Sequence, residues 1–206
     1  DVVSSALDFI LPFEKYKITA GAKVSFTNTR NGINYDTSDP TLVQDDYFRY
    51  KEQIYALYAD YSREYSERFS MQLGLRMEHT RTTGISEAKD TEDKHDYTRL
   101  FPTVYLLYSP TDGHALNFSF SNRISRPSQN MVNPFPFYQN KYTYACGRED
   151  LKPSYTYNAE LGYTLKNNFN VSAYYSYSDD VFFQVVDLDA ETNVTSFLWE
   201  NFMQTH

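Results

Sequence analysis

The sequence is short of the residues that organise most compact domains. It has one cysteine, Cys146, in 206 residues. A single thiol closes no intrachain disulfide, so no disulfide framework sets the fold. Glycine numbers only seven. There is no run of about eighteen apolar residues, which excludes a transmembrane helix. Cations are outnumbered, 19 Lys and Arg against 27 Asp and Glu, for a net charge of −8. With no basic stripe, nucleic acid is not an expected partner. Nothing resembling a leader opens the chain, and Asp1 runs straight into strand-like sequence. The end, SFLWENFMQTH, reads as a strand in passage, so the expectation is a piece of a longer protein.

Signatures of catalysis are also missing. The four histidines, His79, His95, His114 and His206, show no H-E-x-x-H spacing. No G-x-S-x-G elbow is present. The least implausible reactive pairing is His79 with Asp60 or Glu78, and solvated strand residues explain these better. No enzyme, cofactor or metal site is expected. The acidic stretch Glu87–Asp96 could offer carboxylates to Ca²⁺ but lacks the D-x-[DN]-x-[DN]-G order, and Asp39, Asp45 and Asp46 give a second loop the same sign. Both read as solvated loops.

What the sequence has in abundance is aromatic side chains, 20 Tyr and 15 Phe, set in period-two alternation. In His114–Ile124, Leu116, Phe118, Phe120 and Ile124 fall on one face of a strand, and Asn117, Ser119, Ser121 and Arg123 on the other. The same pattern runs through Tyr16–Asn28, Arg68–His79, Tyr155–Leu165 and Phe169–Tyr177, and less cleanly near 2–13, 50–63, 98–108, 181–188 and 192–203. That predicts an all-β chain of about ten strands, many about 10–14 residues long, against about 5–6 in globular sheets. Crossing a bilayer at a tilt takes about 9–11.

The predicted connections alternate. Short ones fall at Glu14–Tyr16, Glu64–Glu67, Pro110–Gly113 and Lys166–Asn168, and long ones near 31–48, 83–97 and 125–153. Tight turns at one end and long loops at the other describe an outer-membrane barrel. The expected architecture is an antiparallel meander, one partial barrel segment over 1–206. Tyr155, Tyr157, Tyr175 and Tyr177 would sit in an interfacial girdle. Lys23, Arg76, Glu78, Arg123 and Glu160 share the polar face, which in a wide barrel lines water or a plug. A soluble β-sandwich also alternates and is the competing architecture.

Between Asn122 and Tyr163 the alternation gives way to a stretch dense in proline and rings. Here the chain resembles the outer membrane β-barrel family of TonB-dependent-receptor-like proteins. The resemblance lies in Arg123, Arg126, Pro127, Asn133 and Pro134, then Gly147, Leu151, Lys152 and Pro153, then Glu160–Tyr163. Tyr50–Ser62 and Leu73–Thr80 are similar to further strands of that family. Arg148-Glu149 replaces the family's Asn-Pro, and Ser154 replaces its Glu.

The resemblance implies the bacterial outer membrane, contact with its lipid, and a receptor or transporter for a scarce nutrient such as a metal chelate, oligosaccharide or peptide. It implies a plug and an energy-coupling protein in the full-length molecule, and allows for a surface lipoprotein. Phe135, Phe137, Tyr138, Tyr142 and Tyr144 are the candidates for ligand contact, since rings at a loop tip stack on sugars, chelators or peptides; packing of the loop is the plainer reading of them. Two further readings stand beside the receptor: a soluble or self-associating β-sheet binding module, with open edges as the route to self-association, and, less favoured, an outer-membrane enzyme.

Overall fold

The computed structural model describes residues 1–33, 46–86, 90–166 and 168–205. Apart from one short helix it is built of strands. They are β1 (Val2–Pro12), β2 (Tyr16–Ile33), β3 (Asp46–Ser66), β4 (Phe69–Ser86), β5 (Thr91–Tyr108) and β6 (His114–Ser125). Helix α1 (Gln129–Val132) and strands β7 (Phe137–Asn140) and β8 (Thr143–Cys146) follow, then β9 (Ser154–Leu165), β10 (Phe169–Asp189) and β11 (Val194–Thr205). They form one sheet in the order β1-β2-β3-β4-β5-β6-β9-β10-β11-β8-β7.

The register carries the alternation from single strands to the whole wall, because directly paired residues share a face. Leu11, Ile18, Tyr61, Leu73, Val104, Phe120, Ala159 and Tyr175 are successive partners across eight strands. One residue along, the row reads Ile10, Thr19, Asp60, Gly74, Thr103, Ser121, Asn158 and Ser176. One face is apolar and open: Leu57 is 56% exposed, Leu75 50% and Leu161 54%. An apolar patch of this extent needs an apolar neighbour. The other face is the polar one, and the chain between β6 and β9 folds against it.

Rings mark both margins of the apolar band. At the short-turn end Phe13 stacks on Tyr16 with centroids 4.4 Å apart, Tyr65 meets Phe69 at 5.5 Å, and Phe69 meets Tyr108 at 6.4 Å. At the other end Phe26 meets Tyr55 edge-on at 5.9 Å, and Tyr157 pairs with Tyr177 at 6.1 Å. From Tyr55 to Tyr65 the chain covers roughly 33 Å, which at a tilt of about 40° is a height of roughly 25 Å, the apolar span of an outer-membrane barrel.

Several expectations need correction. The strands are longer than predicted: β3 and β10 have 21 residues, and β2, β4 and β5 have 18. The expected loop 83–97 is mostly strand, since β4 runs to Ser86 and β5 begins at Thr91; Glu87–Lys89 lie outside the described residues. Of the loop 31–48, residues 34–45, with Asp39 and Asp45, lie outside them too, as do Asn167 and His206. Polar tips had suggested loops, but a sheet rising clear of the membrane can be wet on both faces, so polarity stops marking its end.

The segments 169–177 and 181–188 are one strand. Asp179-Asp180 looks like a break, yet Asp180 stays in β10 at φ 52°. Nor is the sheet a plain meander: β8, from the expected loop 125–153, adds to the β11 edge in parallel, Thr143 opposite Thr195 and Cys146 opposite Leu198. That occupies an edge expected to be open. Finally, Tyr155 is no girdle ring. It is buried at 7% exposure, with the Arg99 guanidinium 4.9 Å from its centroid.

Candidate functional site: the mouth and its infolded loop

Beyond Ser125 the chain leaves the wall. Arg126 turns onto the polar face and meets β3 and β4. Its guanidinium donates to Glu78 Oε2 at 2.5 Å and to Thr80 Oγ1 at 3.0 Å, and lies 3.7 Å from Glu52 Oε1. Glu78 also accepts from Arg76 Nε at 2.5 Å. Thr80 is fully buried, and the Glu78 side chain is 8% exposed. Alternation places Glu52, Thr80 and Glu78 on one face, so a single cation from the loop reaches all three. Pro127 follows, after the last residue of β6, where its missing N–H breaks no ladder bond.

The two halves of the signature stretch clasp each other. Gly147 N–H donates to Asn133 O at 2.8 Å, and Arg148 N–H donates to Met131 O at 2.7 Å. Asn133 is buried, and its Oδ1 accepts the Phe135 N–H at 3.1 Å. The Cys146 thiol donates to Pro134 O at 3.0 Å. Gly147 sits so close that a Cβ there would lie 2.6 Å from Met131 O and 2.7 Å from Asn133 N. Lys152 N–H donates to Asn201 Oδ1 at 2.9 Å, while Asn201 Nδ2 donates to Lys152 O at 3.0 Å and Asp180 O at 2.7 Å. Arg148 bonds Asp150 through two nitrogens, at 2.6 and 3.1 Å, and lies 3.6 Å from Glu200. That guanidinium holds the Asp150 carboxyl below its usual range.

An apolar nucleus completes the anchor. Phe48, Val132 and Leu151 are buried together against Tyr50, Met131, Phe182 and Trp199. These come from β3, from both halves of the loop, and from β10 and β11. Beside this plug of loop lies a cleft of about 400 Å³, lined among others by Glu52, His95, Tyr97, Arg99, Arg126 and Tyr155. Its walls carry both signs of charge.

The signature residues from Arg126 to Pro153 come together, whereas Glu160–Tyr163 stay in the wall on β9, and Arg123 is exposed on the polar face opposite Thr156, facing a lower hollow shared with Arg76 and Glu78. The five candidate rings divide. Phe135 is buried at 7%, Tyr138 and Tyr144 pair across β7 and β8 with centroids 5.5 Å apart, and Phe137 and Tyr142 are open at 56% and 61%. Three of the five candidates for ligand contact therefore pack and two are displayed. Sequence reading missed Asn201, Phe48 and Trp199, none of which belongs to a motif.

His79 cannot work with Asp60 or Glu78. It pairs with Tyr55 and Thr98 on the outward face, whereas both carboxylates lie on the polar face. Its ring contacts Thr98 Oγ1 at 3.0 Å and Asp96 at 3.5 Å. The acidic stretch does not converge either. Among the described residues Glu92 pairs with Lys94, Asp93 with His95, and Asp96 with Arg81, on alternating faces of β5.

A model of the outer membrane protein beta-barrel family matches residues 1–206. The chain belongs to this family. No curated protein matches its sequence. Among solved structures it is similar to the copper transporter OprC, at 12% identity and a TM-score of 0.70 over 97% of this chain and 33% of that one. It is similar to the ferric enterobactin receptor PfeA of Pseudomonas aeruginosa, at 14% and 0.64 over 98% and 31%. The siderophore receptor PirA of Acinetobacter baumannii follows at 13% and 0.60 over 98% and 32%. At such identities the likeness is one of fold, and the chain spans about a third of each structure. The family places this protein in the bacterial outer membrane, and its wall has the fold of part of those barrels. The apolar band therefore faces lipid, and the polar face the lumen.

Proposed function

We propose that this outer membrane β-barrel protein forms part of the wall and mouth of a receptor that takes up a scarce nutrient, a metal chelate, oligosaccharide or peptide. In the full-length protein, uptake would be driven through TonB, with a plug filling the polar lumen. The segment over 1–206 is one piece of that wall. The observation that carries the reading is the infolded loop. Arg126 and the Phe48–Val132–Leu151 nucleus fix it across the mouth, and Phe137 and Tyr142 stand exposed on it. A rigid base with exposed rings suits capture of a ligand with flat or apolar faces.

The test is uptake-dependent growth of cells carrying Phe137→Ala with Tyr142→Ala, supplied in turn with chelated iron or copper, oligosaccharides and peptides as sole source. Growth on one class should fall while the amount of protein in the outer membrane stays unchanged. Unchanged growth on a nutrient that the wild type demonstrably imports would overturn a role for these rings.

A further inference from the structure

On the outward face, the tiers at and above the upper rings are cationic in sum. The tier of Val24, Tyr55, His79 and Thr98 closes the apolar band. The next three read Phe26, Gln53, Arg81 and Asp96, then Asn28, Lys51, Thr83 and Lys94, then Arg30, Arg49, Ile85 and Glu92. On β2 to β5 these tiers hold five cations and two carboxylates, in a chain whose net charge is −8. Both carboxylates are engaged, Asp96 with Arg81 at 3.0 Å and Glu92 with Lys94 at 2.9 Å. Among the described residues no carboxylate pairs with Arg30, Arg49 or Lys51.

Arg30 and Arg49 are direct cross-strand partners, with Lys51 one tier below. Like charges placed opposite each other destabilise a sheet. An anion between them turns that cost into a gain, and guanidinium groups suit phosphate through paired hydrogen bonds. Height decides which anion. The short turns lie at the other end of the strands, which makes this the external end. Lying just above a band roughly 25 Å tall, the tiers meet the headgroups of the outer leaflet.

We propose that the outward faces of β2 to β5, with Arg30, Arg49 and Lys51 at the centre, form a binding site for the phosphates of outer-leaflet lipid. The cations take the place of the divalent ions that otherwise bridge such phosphates, so the bound lipid stays when a chelator removes them. The site depends on the orientation of the barrel and not on its transport role.

The experiment is native mass spectrometry of the protein as made in its own outer membrane and extracted in mild detergent with chelator present. Wild type is compared with R30Q/R49Q/K51Q and with the lumen-facing control K17Q/K23Q. Retained phosphorylated lipid should fall about tenfold or more in the triple variant, since each cation near an anionic surface counts separately, and stay level in the control. Added back to lipid-stripped protein, lipid A should raise the melting temperature of the wild type. Dephosphorylated lipid A should not, and neither should free phosphate. Equal retention by wild type and triple variant overturns the site, as does equal stabilisation by dephosphorylated lipid, which would credit the apolar band alone. Stabilisation by free phosphate at the same concentration would show an anion site that is not a lipid site, and also overturns it. If the triple variant fails to assemble, Lys51→Gln is read against salt. Retention that weakens with salt, and more steeply in wild type, supports the site; retention indifferent to salt sinks it.

Discussion

Replacing Arg126 with alanine should release the loop while sparing the wall. The side chain is 20% exposed and pairs with Glu78 and Glu52, which are 8% and 15% exposed. Breaking a buried pair by removing one partner costs about 3–5 kcal/mol, because the remaining charge stays desolvated. Here Glu78 keeps Arg76, and the lumen admits water, so the lower figure applies. About 3 kcal/mol is roughly a hundredfold in an opening equilibrium. The readout is amide hydrogen exchange at Gly147 and Arg148, whose N–H groups are held by Asn133 and Met131 carbonyls. Both should exchange roughly a hundredfold faster, and the β3–β4 amides below Glu78 should not change. Arg126→Lys, with charge but no fork, should give an intermediate result. In a double-mutant cycle Glu78→Gln should remove most of the effect of Arg126→Ala. Exchange at Gly147 unchanged in Arg126→Ala would refute the anchor, and so would uniform loosening of the whole ladder.

Gly147→Ala should unseat the same loop by a different route: its Cβ meets backbone atoms of Met131 and Asn133, which cannot swing aside. Exchange at Arg148 should rise as in Arg126→Ala, and a normal rate there would mean that the clasp tolerates a methyl group. Phe118→Arg, near the middle of the lipid-facing band, should cost about 2–4 kcal/mol of folding stability in bilayers, whereas Ser119→Arg on the lumen face should cost little. Equal losses in urea titrations of the two would contradict the orientation of β6.

Period-two alternation made the wall legible, because each strand follows the same rule independently and the register only has to align them. Leu116, Phe118 and Phe120 were assigned to one face from β6 alone, and pairing with Val104, Leu161 and Ala159 bears this out. The limits of the strands were not legible. Above the membrane both faces meet water, so Thr91–Asp96 mixes charges on both faces, does not alternate in hydropathy and reads as loop. The loop was legible as a unit through its proline and glycine motif. Its anchor was only half so: Arg126 and Gly147 stood out, but Glu52, Phe48, Trp199 and Asn201 lie far off in sequence and were brought in by the curvature of the wall.

The basic tiers show the same limit from the other side. Arg30, Arg49, Lys51, Arg81 and Lys94 form no run, and each strand carries only one or two of them. Read along the chain they are scattered cations in an acidic protein. Strand pairing sums them, at one height and on one face, while their sequence neighbours Glu52, Thr82 and His95 turn into the lumen. A barrel wall thus carries two charge patterns in a single sequence, one for each phase it touches. Net charge averages over both, which is why a value of −8 coexists with a cationic girdle. The wall is therefore better judged by the sign of each face at each height than by the composition of the chain.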